Sequence, residues 1–181
     1  MSKKLLWVDL EMTGLDDIKD SILEVAAIVT DIELKPLEEL HRVVFQTPEV
    51  LENMNDWCKK THGESGLTAA VPNGTPLPQV EKELLALIDR HFASNDRPVL
   101  CGNSIGNDRR FIDRYCADLS KRLHYRMIDV SSFKEMYRDR FGIEFKKKNS
   151  HRAVDDILES IRELEHYLSF VKPPQKTPET K

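Results

Sequence analysis

Two carboxylates stand inside a segment that otherwise has the apolar pattern of a buried strand, Leu5-Leu6-Trp7-Val8-Asp9-Leu10-Glu11. Side chains alternate between the two faces of a strand, so Asp9 and Glu11 project on the same side with Cα atoms about 6.5 Å apart. Like charges on one face repel each other and are costly to desolvate, and a cation between them removes both costs. Oxygen ligands favour Mg²⁺ or Mn²⁺ over zinc. An edge strand that leaves both acids in solvent is the alternative.

Asp108 is a third carboxylate at an unexpected position. On a helical projection it heads a stripe of residues that are typical of a core, namely Phe111, Ile112, Tyr115 and Leu119. The simpler explanation is an acid in the first turn of a helix, where the helix dipole stabilises negative charge.

His151 precedes the last helical segment and is followed by two acids, Asp155 and Asp156. A solvated first turn with Ser150 as its N-cap would account for all of these residues without any chemistry. Helical spacing does not choose between the two aspartates, because both lie away from the apolar stripe of the segment.

Taken together, four acids and one histidine from three separate regions suit a two-metal phosphoryl-transfer site. In such a site one ion lowers the pKa of the attacking water and the other stabilises the leaving oxygen. A neutral histidine can accept the proton of that water near pH 7.

Hydrophobic periodicity predicts the elements that must position these residues. We predict strands at 4–12, 21–32, 40–46, 98–101 and 127–130, and helices at 76–93, 105–119, 131–140 and 151–170. The first three strands have short links, which predicts a meander, and the later strands alternate with helices. The pattern indicates an α/β fold with a mixed central sheet flanked by helices. Residues 1–171 are predicted to form a single domain, and the proline-rich residues 172–181 a disordered tail.

Composition excludes a disordered chain, a collagen-like chain and a small disulfide scaffold. The 181 residues are 40% hydrophobic and 32% charged, which is enough apolar material for a folded core. The spacing of Cys58, Cys101 and Cys116 fits neither a disulfide framework nor a zinc pair, which predicts reduced thiols in a cytoplasmic protein. No segment has the roughly 18–20 consecutive apolar residues of a membrane span.

Three motifs, in order along the chain, resemble the three exonuclease motifs of the DEDDh superfamily. They are Asp-Leu-Glu-Met-Thr-Gly-Leu at 9–15, Asn-Ser-Ile-Gly-Asn-Asp-Arg-Arg-Phe at 103–111 and His-Arg-Ala-Val-Asp-Asp at 151–156. Within that superfamily the chain is most similar to the oligoribonuclease family, which it also resembles at 56–57, 61–62, 65–67 and 124–131. The resemblance covers about residues 5–168 and leaves out the lysine run at 146–148 and the tail.

This resemblance implies a ribonuclease-H-like exonuclease fold and a homodimeric 3′→5′ exoribonuclease. The implied substrates are very short RNAs, especially dinucleotides, which are degraded to nucleoside 5′-monophosphates. By motif position, His151 is the general base. Two divalent metal ions, Mg²⁺ or Mn²⁺, are assigned to Asp9, Glu11, Asp108 and Asp156, so the resemblance selects Asp156 over Asp155.

The resemblance also implies a set of substrate-binding residues. Leu15 and Trp57 would wedge and stack the bases, an interaction worth about 1–3 kcal/mol per base in single-strand binders. Tyr125 would be supplied across the dimer interface to the partner's site. A polar cap on the 5′ phosphate of a dinucleotide, which limits substrate length, is implied for Ser104, Arg126 and Ser131.

The net charge of −4 disfavours binding of long duplex nucleic acid through bulk positive charge. It is an average over unlike regions, because residues 109–152 carry 13 basic and 6 acidic side chains. A closed, metal-loaded pocket for a few nucleotides is compatible with this distribution.

Other functions remain open on the sequence alone. A proofreading-type exonuclease of the same superfamily would act on longer RNA or DNA. A haloacid-dehalogenase-like phosphatase has an Asp-x-Asp-x-Thr motif that is superficially similar to residues 9–13, and it would form an aspartyl-phosphate. A non-enzymatic RNA-binding module would be insensitive to EDTA.

Overall fold

A five-stranded mixed sheet organises the chain, of which the computed structural model describes residues 3–146 and 152–171. The strands are β1 (Lys4–Met12), β2 (Ile22–Asp31), β3 (Pro36–Val43), β4 (Leu100–Gly102) and β5 (Met127–Asp129). The first three form the antiparallel meander that the short links predict, and β4 and β5 add in parallel on the other side of β1. The order across the sheet is β3-β2-β1-β4-β5.

Eight α-helices are present in the described chain, and they cover both faces of the sheet. They are α1 (Pro48–Glu52), α2 (Asp56–Glu64), α3 (Leu67–Ala70), α4 (Leu77–His91), α5 (Gly106–Tyr115), α6 (Ala117–Arg122), α7 (Val130–Phe141) and α8 (Ala153–Leu168). A short 3-10 turn, Val71–Asn73, follows α3. The predicted mixed α/β architecture is therefore confirmed.

Alternation along β1 divides the core into two layers. Leu6, Val8 and Leu10 face one side and pack with apolar residues of α4 and α5. Leu5 and Trp7 face the other side and pack with apolar residues of β2, α7 and α8. On this second face the buried apolar residues end at Trp7, and the carboxylates continue the same row toward the end of the strand.

Two predicted elements, the third strand and the helix at 105–119, differ clearly from the structure. The third strand begins at Pro36 and ends at Val43, because it is an edge strand whose exposed acidic residues hide its pattern. The helix predicted at 105–119 is two helices, since the chain leaves helical geometry at Cys116. Tyr115 is consequently part-exposed rather than in the core, and its hydroxyl donates to the Asp20 carbonyl oxygen at 2.8 Å.

The remaining expectations concern cysteines, membranes and the tail. Cys58, Cys101 and Cys116 are buried free thiols, as the spacing predicts. None of the helices in the part of the chain that the structure describes is long and apolar enough to cross a membrane. The predicted disordered tail, 172–181, lies outside the described residues and stays a prediction.

Candidate active site

Three carboxylates meet where the end of β1 faces the first turn of α8. Among the described residues, Asp9, Glu11 and Asp156 each offer an oxygen, and these oxygens all lie within 4.8 Å of one another. Asp9 and Glu11 share a face of β1 because they are two residues apart. Asp156 reaches them because Ile157 buries α8 against that face, whereas Asp155 points to solvent.

The electrostatics of this acidic group fit a cation. The pKa of Glu11 is raised to about 8, first by burial and then by the negative charges of Asp156, Glu24 and Asp108. Carboxylates crowded in this way repel one another unless a positive charge lies among them. Because every donor is a carboxylate oxygen, the group suits a hard divalent ion such as Mg²⁺ or Mn²⁺.

This crowding leads to a prediction on stability. In EDTA, the free energy of unfolding is expected to fall by roughly 2–4 kcal/mol as the pH rises from about 5 to about 8. The sign follows because folded Glu11, with its pKa raised to about 8, keeps a proton that the unfolded chain releases. Urea unfolding at several pH values measures this slope, which Glu11→Gln should flatten. Glu39→Gln, at an exposed position of β3, is the control, and an equal effect of both variants would contradict the interpretation.

Asp108 lies beside the acidic group rather than within it. It is buried in the first turn of α5, and its Oδ1 accepts a hydrogen bond of 2.9 Å from the Leu10 backbone N–H. That N–H has no strand partner because β4 ends at Gly102 and pairs only with the earlier part of β1. Burial raises the pKa of Asp108 to about 7. The structure therefore gathers three of the four predicted acids and places the fourth against the strand that carries two of them.

Glu24 fixes the start of α8, a role that no pattern in the sequence predicts. It lies opposite Glu11 on β2 and is fully buried. Its carboxylate accepts hydrogen bonds from Arg152 Nη2 at 2.9 Å and from the Ala153 backbone N–H at 3.2 Å. These bonds satisfy a free N–H of the first helical turn and so set the position of Asp156, one turn later. His151, the predicted general base, directly precedes Arg152 and lies outside the described residues.

His62 is a second buried polar residue at the site. Its Nε2 lies 2.9 Å from the Met12 carbonyl oxygen, which can only accept, so Nε2 carries the hydrogen of this bond. Its Nδ1 lies 3.9 Å from Glu11 Oε2. His62 thus ties α2 to the end of β1, which gives a physical role to a residue that the sequence singled out only through family resemblance.

An apolar pocket of about 470 Å³ adjoins Glu11. It is formed by the end of β1, the following loop and α2, and its lining includes Leu10, Glu11, Met12, Gly14, Leu15, Asn55, Trp57, Cys58 and His62. Leu15 is 64% exposed and Trp57 is 62% exposed, so neither side chain packs in the core. Two large apolar side chains held in solvent beside a carboxylate group indicate a surface for a flat, partly apolar ligand.

The loop that carries Leu15 is held in place by Asp20. The Asp20 carboxylate accepts hydrogen bonds from Thr13 Oγ1 and from the Asp16 backbone N–H, both at 2.9 Å. From α5, Arg110 Nη2 donates to the Leu15 carbonyl oxygen at 3.3 Å. Gly14 packs so closely against the Asp20 carboxylate that a Cβ atom at position 14 would collide with it.

Gly14→Ala is therefore expected to lower kcat/KM by about 10-fold, mainly through a higher KM. The added Cβ displaces the Asp20 carboxylate, so the loop no longer holds Leu15 in place beside the pocket. Steady-state kinetics on short RNA, the substrate class that the sequence resemblance implies, measure the effect. Gly63→Ala is the matched control, since a Cβ at Gly63 on α2 meets no other atom within 4 Å. Equal kinetics for the two variants would show that the loop does not position Leu15.

Of the predicted phosphate-cap residues, the structure brings Ser104 and Ser131 together. The Ser104 backbone N–H donates to Ser131 Oγ at 2.8 Å, and the two hydroxyl oxygens are 3.1 Å apart. Arg126 lies at the other end of β5, with its guanidinium 5.3 Å from the centre of the Tyr125 ring. Tyr125 itself is 73% exposed.

Comparison with known proteins adds a family to this geometry. The model of the Exonuclease family matches residues 6–164. The mitochondrial oligoribonuclease of Homo sapiens is 46% identical over 173 residues, which cover 92% of this chain and 73% of the human protein. The oligoribonuclease of Francisella tularensis (strain WY96-3418) is 44% identical over 167 residues, which cover 90% of this chain and 93% of the bacterial protein.

Solved structures support the fold. The zinc-bound form of the E. coli exonuclease I complex with single-stranded DNA superimposes with a TM-score of 0.74 at 14% identity, over 93% of this chain. Exonuclease I from Methylocaldum szegediense gives a TM-score of 0.67 at 20% identity, over 91% of this chain. This chain spans only 41% and 40% of the lengths of those two proteins.

Proposed function

The chain belongs to the Exonuclease family and, within it, to the oligoribonucleases, and on that premise we propose that it is a 3′→5′ exoribonuclease acting on short RNA. The proposed products are nucleoside 5′-monophosphates, and the proposed substrates extend down to dinucleotides. The observation that carries the proposal is the contact between the acidic group and the apolar pocket, which have Glu11 in common. A phosphodiester bond can lie at the carboxylates while the adjoining base lies against Leu15 and Trp57.

In this proposal Asp9, Glu11 and Asp156 hold Mg²⁺ or Mn²⁺, and buried Asp108 completes the set for two ions. When bound, the ions supply Lewis-acid activation of water and neutralise charge at the scissile phosphate. Glu24 and His62 keep the carboxylate-bearing elements in register through their hydrogen bonds to Ala153 and Met12. His151 accepts the proton of the attacking water, since a histidine can do so near pH 7.

Leu15 and Trp57 bind the bases by stacking and apolar contact, without a hydrogen-bond pattern that would select one base. Ser104 and Ser131, the serine pair, receive the 5′ phosphate of a dinucleotide. Arg126, at the other end of β5, stays a predicted third member of this cap. A binding site that is closed by residues at the 5′ phosphate disfavours longer chains, because a further nucleotide would have to pass through those residues.

A homodimer with a shared site is part of the same proposal. Tyr125 and Met127 are exposed at β5, which is one of the two edge strands of the sheet. A second copy that packs on this edge would cover the apolar side chains and bring Tyr125 to the partner's pocket.

Mixing two inactive variants tests this sharing. Tyr125→Ala and Asp156→Asn are each expected to lower activity strongly as homodimers. After subunit exchange, the mixture should regain about a quarter of wild-type activity, because in half of the subunit pairs one site has intact acids and the partner's Tyr125. No recovery, with exchange verified by mass spectrometry of tagged copies, would place Tyr125 in its own protomer's site or outside any site.

The length of the substrate distinguishes this proposal from a proofreading-type exonuclease. Wild-type protein is incubated with Mg²⁺ and 5′-labelled RNAs of two to seven nucleotides, alongside DNA of the same lengths. The expected result is stepwise loss from the 3′ end, with the dinucleotide RNA cleaved fastest. Faster cleavage of the longest RNA, or of DNA, would overturn the proposed substrate class. A trapped aspartyl-phosphate would instead favour the phosphatase alternative.

The cytoplasmic location stays a prediction.

A further inference from the structure

Ser104 has a backbone conformation that is unusual for its residue type. Its φ of 48° lies in the left-handed region, which costs a non-glycine residue energy and is kept only where its surroundings offset that cost. The Ser104 N–H is held by two acceptors, Asp129 Oδ1 at 2.9 Å and Ser131 Oγ at 2.8 Å. The serine pair is therefore built by tertiary contacts rather than by local preference.

Asn103 stands behind this pair and is fully used in hydrogen bonds. Its Nδ2 donates to Ser160 Oγ at 2.7 Å and to Glu163 Oε2 at 3.0 Å, and its Oδ1 accepts from Ser131 Oγ at 3.2 Å. A carboxylate oxygen can only accept, so the amide nitrogen must face Glu163 and the amide oxygen must face Ser131. The orientation of the amide is thus dictated by its partners.

Glu163 is fully buried on the inner face of α8, away from the acidic group. Its Oε1 accepts from the Tyr167 hydroxyl at 3.1 Å, and its Oε2 accepts from Asn103. Ser160, the other acceptor of Asn103, donates its own hydroxyl to the Asp156 carbonyl oxygen at 2.8 Å. A buried carboxylate is costly, and these bonds offset the cost while linking α8 to the serine pair.

The direction of the hydroxyl protons follows from this arrangement. Because the Ser131 hydroxyl donates inward to Asn103 Oδ1, its oxygen can only accept from Ser104. The Ser104 hydroxyl therefore donates to Ser131 at rest, and it is the one that can turn outward to an anionic oxygen. The part-buried Asn103 amide, with buried Glu163 behind it, sets which serine presents a proton to a ligand.

We infer that Asn103 and Glu163 are positioning residues that orient the Ser104–Ser131 pair for a terminal phosphate. This inference rests on the proposed function and goes beyond it, because it assigns the orientation of the serine pair to a polar relay of Asn103 and Glu163 between the end of β4 and α8. The relay touches neither substrate nor metal, so its loss should change discrimination between substrates more than the chemical step.

The test compares a 5′-phosphorylated RNA dinucleotide with the same dinucleotide lacking that phosphate. Asn103→Ala is expected to lower kcat/KM for the phosphorylated substrate by about 10-fold or more, chiefly through KM, and for the unphosphorylated one by less than about 3-fold. Glu163→Leu should repeat this pattern and serves if Asn103→Ala fails to fold. Glu163→Gln keeps an acceptor for Asn103 and should retain the wild-type ratio.

Thr30→Val is the control, because it removes another buried hydrogen bond, from Trp7 Nε1, without touching the serine pair. It should leave the ratio of the two kcat/KM values unchanged. Equal losses on both substrates in Asn103→Ala and Glu163→Leu, or no loss on either, would overturn the relay. Wild-type protein that cleaves neither dinucleotide would overturn the proposed function itself, and wild-type protein that cleaves both equally would overturn phosphate recognition by the serine pair.

Discussion

Asp156→Asn is expected to lower kcat on an RNA dinucleotide by at least about 1000-fold while making the protein more stable in EDTA. The loss arises because Asp156 is the contribution of α8 to the acidic group, beside Asp9 and Glu11. The gain in stability arises because the charge of Asp156 is one of those that raise the pKa of Glu11. Relief of about 1 kcal/mol of repulsion corresponds to a rise of about 2–4 °C in Tm for a chain of this size.

The neighbouring residue supplies a matched control. Asp155→Asn makes the same chemical change one residue earlier, on a side chain that points to solvent. It should leave both kcat and Tm close to wild type. A large loss of activity in Asp155→Asn together with an active Asp156→Asn would show that the wrong aspartate has been assigned.

Asp108 carries the second large effect, and two substitutions separate its possible roles. Asp108→Asn keeps an oxygen that can accept from the Leu10 N–H, whereas Asp108→Ala leaves that buried donor without its partner. Both variants are expected to lose at least about 1000-fold in kcat, because neither supplies a carboxylate for the second ion. Only Asp108→Ala is expected to lose stability, by about 1–3 kcal/mol.

Dinucleotide kinetics and urea unfolding, measured on the same preparations, check this expectation. Size-exclusion chromatography establishes that each variant keeps the assembly state of the wild type. An Asp108→Asn protein with near wild-type kcat would make Asp108 an anchor of β1 and would remove it from the metal-binding set.

Strand alternation was enough to place Asp9 and Glu11 together, because β1 is long and its neighbours are apolar. The spacing of Asp108 from Phe111 and Ile112 likewise predicted a carboxylate on the inner face of a helix, and the structure buries it there. In both cases a charged residue interrupts a strong local periodicity of apolar residues. Such interruptions are visible in one sequence without knowledge of the partners.

The choice between Asp155 and Asp156 could not be made in this way. Both lie off the apolar stripe of α8. The choice between them therefore depends on how that helix is rotated about its own axis relative to β1. Glu24 sets the start of α8, and it does so through contacts more than 125 positions away in the chain. Partners at that separation leave no periodic signal in the sequence.

Polar residues that act through long-range hydrogen bonds were the hardest to interpret for a related reason. Glu24, Asn103 and Glu163 lie within apolar or mixed segments, where each could equally have been a solvated residue at the edge of an element. Their roles depend on which hydrogen-bond partners the fold brings to them. The edge strand β3 was misplaced for the opposite reason, since exposure on one face removes the apolar pattern that marks a strand.

Release of nucleoside 5′-monophosphate from an RNA dinucleotide, in EDTA and after addition of excess Mg²⁺, tests the role of the acidic group most directly. The expected result is no detectable product in EDTA and full recovery with Mg²⁺ for the wild type, with no recovery for Asp156→Asn. Cleavage that continues in EDTA, or Mg²⁺-dependent cleavage at the wild-type rate by Asp156→Asn, would contradict the assignment of Asp9, Glu11 and Asp156 as the metal-binding catalytic centre.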